Sequence, residues 1–320
     1  MIGKICGTGS YVPANYLDNN DLAKMVETND EWVRERTGIV RRHIIEDDTT
    51  VSMAVKASKE ALKMSGIEAK EIDLIIVSTL SSNVILPSAA CEVQRELEAV
   101  NATCFDLNAA CTGFVFGYIA AQAYIISGIY RNILIIGSES LSNFVNWEDR
   151  GTCILFGDGA GAAVVRAAEG TMYLPVTHSD GAIGHVLTCG SRHNKEWIAG
   201  SKDDNTYMKM DGQAVFKFAV KKVPEVIDQA LEHNKLDIHD IDWFILHQAN
   251  KRIIDSIARR LGIDIDRFPM NVEEYGNTSS ASVPLLLDEM NRKGMLAAGQ
   301  KIMLAGFGAG LSWAAVVLEW

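Results

Sequence analysis

Two separated segments of this chain recur at one spacing. Ala61-Leu62, followed by Ile72-Asp73-Leu74-Ile75-Ile76-Val77, returns as Ala230-Leu231, followed by Ile241-Asp242-Trp243-Phe244-Ile245-Leu246; 230 − 61 = 169 and 241 − 72 = 169. Ile133-Leu134-Ile135-Ile136-Gly137 returns as Ile302-Met303-Leu304-Ala305-Gly306, and 302 − 133 is again 169. A shared offset restricts the chain to two similar halves, residues 1–168 and 169–320.

Each half alternates apolar runs with helical patterns. Short, nearly continuous apolar runs at 74–77, 133–136, 162–165, 244–246, 302–304 and 314–318 read as strands buried on both faces. Helices are expected at about 50–65, 88–99, 113–128, 212–233, 250–262 and 281–294. Alternation of this kind implies a layered α/β fold. Residues 107–130 carry no charge and are numerous enough to span a bilayer, yet Asn108, Gly113, Gly117 and Gln122 interrupt them. They read instead as a central helix, which the two halves would sandwich between sheets. Residues 190–211 read as a polar, irregular excursion beside a site mouth or partner surface.

The net charge of −11 argues against general nucleic-acid or anionic-membrane binding. Cys6, Cys91, Cys104, Cys111, Cys153 and Cys189 show no metal-ligand spacing. With no secretory leader, they are expected to be reduced thiols of a cytoplasmic protein.

Cys111 differs from the other five by its setting. Residues 103–107 read as a short strand, Asn108-Ala109-Ala110-Cys111-Thr112-Gly113 as a tight turn, and a helix follows. A thiol there faces uncapped N–H groups and the positive helix end, which favour thiolate. Small neighbours would admit a substrate carbonyl. Without that setting it would read as a core cysteine. His247, in His247-Gln248-Ala249-Asn250, follows an apolar strand in the second half and reads as the same kind of strand-end position. Asn277 lies in Tyr275-Gly276-Asn277-Thr278-Ser279-Ser280-Ala281-Ser282, a turn opening a helix, where an ordinary turn or cap asparagine is the plain alternative. Gly306-Phe307-Gly308-Ala309-Gly310 is a loop whose N–H groups could face a substrate oxygen.

In this order, those four segments resemble the thiolase superfamily and, more narrowly, the β-ketoacyl-[acyl carrier protein] synthase III family. The resemblance extends to Gly7-Thr8-Gly9-Ser10-Tyr11-Val12-Pro13, Trp32-Val33-Arg34-Glu35-Arg36-Thr37-Gly38-Ile39, Pro87-Ser88-Ala89-Ala90 and Phe156-Gly157-Asp158-Gly159-Ala160-Gly161-Ala162. It implies duplicated α/β halves packed as a five-layered α-β-α-β-α sandwich, a homodimer, and no metal or organic cofactor.

The resemblance also implies two half-reactions. Cys111 takes an acyl group from acyl-CoA, with Gly308 and Ala309 near the oxyanion. Malonyl-acyl carrier protein then loses CO2, and His247 and Asn277 stabilise the enolate that attacks the acyl-cysteine. Carried over position by position, Trp32 stacks on the CoA adenine with Arg36 and Arg150 nearby. Thr28, Gly212, Phe216, Ala249, Asn250 and Phe307 surround the thioester arm and acyl group. Lys217, Lys221, Arg252, Arg259 and Arg260 form a positive patch for an acidic carrier protein. Leu86 resembles a residue that closes the acyl pocket across the dimer; its smaller side chain than the Phe of some members leaves the primer open. Ala309 stands where the family usually has a third glycine, and alanine restricts positive φ. A biosynthetic thiolase needs a second cysteine in the last glycine loop, but Phe307 occupies that region and no cysteine follows Cys189. A secondary-metabolism paralogue with the same three residues remains an alternative. A non-catalytic partner is opposed by retention of all three.

Overall fold

The computed structural model describes residues 1–190 and 207–320. Its first sheet contains β1 (Ile2–Tyr11), β2 (Leu74–Ser78), β3 (Thr103–Leu107), β4 (Asn132–Ser140) and β5 (Asp158–Ala168), in the order β1-β5-β4-β2-β3. The second contains β6 (Val176–Ser179), β7 (Trp243–Leu246), β8 (Lys301–Gly308) and β9 (Ser312–Glu319), in the order β7-β8-β9-β6. The helices that cover them are α1 (Asp30–Thr37), α2 (Thr50–Ser65), α3 (Ala89–Leu97), α4 (Gly113–Ile126), α5 (Gly212–Asn234), α6 (Lys251–Leu261) and α7 (Ser282–Arg292).

Side-chain alternation explains the layering. On β2, Leu74 and Ile76 pack inward with α4 and α7, while Ile75 and Val77 pack outward against α2 and α3. On β8, Ile302 and Leu304 join the inner cluster, while Met303 and Ala305 join the outer one with α5 and α6. The result is five layers, with α4 and α7 between the sheets. The central helix is nevertheless not enclosed on every side. Phe116, Ile119 and Tyr124 are half-buried, Ile126 is exposed, and β3 beside it is an unpaired sheet edge among the described residues.

Within the excursion expected over 190–211, residues 191–206 lie outside the described residues. The flanks are regular rather than irregular: Leu187–Cys189 and Met208–Met210 pair as antiparallel strands. Among the described residues no helix is long and apolar enough to cross a membrane.

The middle helical layer is tied to β1 of the first sheet by Asp288 of α7, which is fully buried. It accepts from Thr8 Oγ1 (2.8 Å), Ser10 Oγ (2.5 Å) and Arg292 Nε (2.9 Å). Removing the carboxylate leaves buried donors unpaired. Asp288→Ala is expected to cost about 3 kcal/mol, read as a lower urea midpoint; an unchanged midpoint would show that this tie contributes nothing.

Candidate active site

Cys111 sits in a 3-10 turn, Ala110–Thr112, between β3 and α4. Ala110 takes φ +46° there. The matching turn in the second half is Ser279–Ala281, ahead of α7, where Ser279 takes φ +51°. The strained positions are themselves one repeat apart, since 279 − 110 = 169. The counterpart of the Cys111 turn is therefore the Asn277 turn. His247 directly follows β7, the kind of strand-end position expected of it, and by the repeat β7 corresponds to β2.

The helix-end argument for thiolate is corrected. No side chain caps α4, as expected. Burial nevertheless pushes the Cys111 thiol up to about 12, outweighing the neighbouring Ser279 hydroxyl, which lowers it; the Glu139 charge raises it further. A helix terminus stabilises the anion by at most a few kcal/mol, and full desolvation exceeds that. At neutral pH the resting nucleophile is a thiol.

His247 is buried, and burial pulls its imidazole down to about 3, so it is neutral. Its Nδ1 lies 2.7 Å from Ser282 Oγ. That hydroxyl accepts from the Gln248 N–H at 3.3 Å and has no other acceptor among the described residues for its own proton. Ser282 therefore donates to Nδ1, and the ring proton resides on Nε2. Phe307 packs edge-on to the ring at 5.4 Å.

Asn277 is clamped through its backbone: its N–H donates to Leu155 O (2.8 Å), and its carbonyl accepts from Gly157 N (3.1 Å). Its Oδ1 accepts from Ser279 N at 2.9 Å, which leaves the amide NH2 as the end available to a ligand. The site thus presents one sulfur nucleophile and two neutral donors.

Cys111, His247 and Asn277 line one cavity of about 540 Å³, together with Phe307, Gly308 and Ala309. Arg36, Gly212, Phe216, Ala249 and Asn250 line it too, as does Arg252, which was expected only in the docking patch. Leu80, Leu141, Leu155, Phe156, Leu187 and Met208 make part of the wall apolar. Asn250 caps α6 and reaches Arg36 O (3.2 Å), fixing α1 against that helix.

Other expected contacts fall elsewhere. Thr28, Trp32, Arg150 and Leu86 do not line the cavity. Trp32 stands beside it, with the Arg36 and Arg150 guanidinium carbons 5.5 and 4.8 Å from its ring centre. Arg150 donates to Glu27 O, and Thr28 Oγ1 is buried without a partner among the described residues. Leu86 is 83% exposed, beside exposed Val84 and Ile85. Lys217 and Lys221 on α5, and Arg252, Arg259 and Arg260 on α6, are all exposed; Arg260 is partly engaged by Val220 O (3.3 Å) and Glu225 (3.9 Å). The concern over Ala309 is removed: the left-handed conformation in that turn falls on Gly310, at φ +144°.

The cavity's three-part chemistry meets its match in known proteins. The chain is 46% identical, over 99% of its own length and 98% of the relative's, to the β-ketoacyl-[acyl-carrier-protein] synthase III of Clostridium novyi. It belongs to the 3-oxoacyl-[acyl-carrier-protein] synthase III family. The models of that family match residues 105–181, and those of its C-terminal part match residues 231–320. The synthase III structure from Aquifex aeolicus superposes with a TM-score of 0.94 at 40% identity, covering 99% of this chain and 100% of that one. A priming β-ketosynthase from the R1128 polyketide pathway superposes at 0.95 with 37% identity, covering 99% and 96%. A thiolase-type α/β sandwich is thereby shared.

Sequence reading missed Glu139, Ser279 and Ser282 as parts of this synthase-family site. Both serines lie inside the Asn277 segment, and Glu139 is the one acid near the end of an otherwise uncharged central strand core, a signal that was available.

Proposed function

We propose that the chain initiates fatty acid synthesis by joining a short acyl-CoA primer to malonyl-acyl carrier protein, releasing CoA, CO2 and β-ketoacyl-carrier protein. The observation that carries this is the convergence of a thiol with two neutral hydrogen-bond donors in one largely apolar cavity. Cys111 Sγ attacks the thioester carbonyl while N–H groups of Cys111 and the Gly308-Ala309 turn receive the oxyanion. CoA leaves. Loss of CO2 from the malonyl group then creates the nucleophilic carbon, so no base is needed to form it. His247 Nε2–H and the Asn277 amide donate to the enolate oxygen, and the carbon attacks the acyl-cysteine. Nothing in this route calls on a metal or organic redox cofactor.

The exposed cations of α5 and α6 beside the Arg252 side of the cavity suit an acidic carrier protein despite the overall charge of −11. Trp32 between two arginines suits an adenine and its phosphates. A homodimer is supported by the unpaired β3 edge, the half-open flank of α4 and the exposed Val84-Ile85-Leu86 run, surfaces a second copy would cover. Leu86 would then meet the partner's acyl pocket. We place the reaction in the cytoplasm.

Likeness to a polyketide-priming synthase favours one second reading, a secondary-metabolism condensation with the same three residues. Incubation with acyl-CoAs from acetyl to decanoyl, branched ones included, is expected to give an acyl adduct by intact mass on the wild type and none on Cys111→Ala. Discharge by malonyl-acyl carrier protein supports the primary reading. An adduct that it cannot discharge favours the second, and no adduct from any primer removes both.

A further inference from the structure

Glu139, on β4, is fully buried and forms no ion pair among the described residues. Hydroxyls surround it instead. Ser81 Oγ (2.6 Å), Thr79 Oγ1 (3.2 Å) and the Leu80 N–H (3.2 Å) reach Oε2. Ser279 Oγ (3.2 Å) and Ser280 Oγ (2.9 Å) reach Oε1. Donors on both oxygens suit a carboxylate, which only accepts. Burial at the same time raises its carboxyl above the usual range, which equips it to take up a proton. Ser279 belongs to both sides of the site, because it lines the same cavity as Cys111 and its turn packs against the Cys111 turn. Close packing holds this arrangement: a Cβ on Gly137 would lie 2.3 Å from Ser280 O, and one on Gly113 would lie 1.7 Å from Ser78 Oγ.

The resting thiol must lose a proton, and His247 is poorly placed to receive it. Its Nε2 already carries one, and Ser282 occupies Nδ1.

We propose that Glu139 receives the Cys111 proton through the Ser279 hydroxyl on acylation, stores it in the acyl-enzyme, and returns it during condensation. This rests on the reading of Cys111 as the acyl acceptor. As the sulfur–carbon bond forms, the thiol proton passes to Ser279 Oγ and the Ser279 proton to Glu139 Oε1. The carbonyl π pair moves onto oxygen, then returns as the carbon–sulfur bond to CoA breaks. CoA thiolate takes its proton from solvent. In condensation the enolate carbon attacks the acyl-cysteine, the cysteine sulfur leaves as thiolate, and the proton returns from Glu139 through Ser279. The cycle consumes one solvent proton, the one that ends on CoA.

The test is single-turnover acylation of the wild type by acyl-CoA at neutral pH in weak buffer, without malonyl-acyl carrier protein. CoA release and proton uptake are read on parallel samples, the first quenched and then assayed with a thiol reagent, the second followed with a pH indicator alone. One proton taken up per CoA released is the expected result. CoA release without uptake overturns the storage role but leaves the acyl-acceptor reading standing. No CoA release overturns the acyl-acceptor reading and the inference with it. Glu139→Gln and Ser279→Ala are each expected to slow acylation about 10²-fold at neutral pH and to abolish the uptake. Their rates should climb about tenfold per pH unit as thiolate forms directly, against a flatter wild-type profile. A slower rate with unchanged pH slope in both would mean a structural role only. If a variant does not fold, the wild-type stoichiometry decides alone.

Discussion

His247→Ala and Asn277→Ala are each expected to leave acylation of Cys111 within a few-fold of the wild type and to slow condensation by about 10²–10³-fold. Both side chains offer donors, Nε2–H and the amide NH2, and neither is set to accept a proton from the thiol. They therefore act where negative charge gathers on the enolate oxygen, a charge that exists only after CO2 leaves. Because burial holds the imidazole neutral, with its pKa at about 3, the His247 contribution should not titrate between pH 5 and 9. Rapid quench with labelled acyl-CoA separates the half-reactions. Equal loss in both would show that these groups also serve acylation. Protonated, the ring would need a pKa well above neutrality, and the condensation rate would then fall as pH rises through it.

The sequence repeat exposed strands better than turns. β2 and β7, like β4 and β8, retain similar side chains because both members are buried in equivalent sheets, so their shared offset was visible. The turns before α4 and α7 are equally equivalent, yet Ala110 and Ser279 share only a backbone conformation. No side-chain pattern records that, so the repeat did not reveal the Asn277 turn as the counterpart of the Cys111 turn. β1 was absent from the apolar runs because it alternates glycine where α2 comes close: a Cβ on Gly7 or Gly9 would lie 2.4 Å or 2.2 Å from a carbonyl oxygen of that helix. The thiol's protonation was misread for a related reason. A helix terminus can be recognised from local sequence, whereas the desolvation that outweighs it comes from burial in a site completed by residues far along the chain. Trp32 and Arg150 were assigned by the family resemblance, position by position, but only folding shows that they stand outside the cavity wall.

Gly308→Ala is expected to suppress both half-reactions, by about 10²–10³-fold, while the protein remains folded. A Cβ at this position would lie 2.8 Å from Cys111 N and 3.1 Å from both Thr112 N and Thr112 Oγ1. The atoms met first are backbone, on a turn that also carries the nucleophile, so relief requires moving that turn or the end of β8. Either movement displaces the Cys111 N–H from where the proposed mechanism has it receive the thioester oxygen, in acylation and again in condensation. Gly306, two residues earlier on the same strand, supplies the control. Its added Cβ would meet His247 Cβ at 3.5 Å and Cys111 O at 3.8 Å, ordinary contacts. Gly306→Ala should therefore stay within about tenfold of wild type. The two variants make nearly the same change in volume and hydrophobicity, so a shared large loss would point to general disruption of β8. Loss confined to Gly308→Ala, with both thermal midpoints near that of the wild type, would tie it to the Cys111 N–H. That result also separates the two catalytic subsites: His247 and Asn277 govern the enolate alone, whereas the Gly308 turn governs the acyl carbonyl in every turnover.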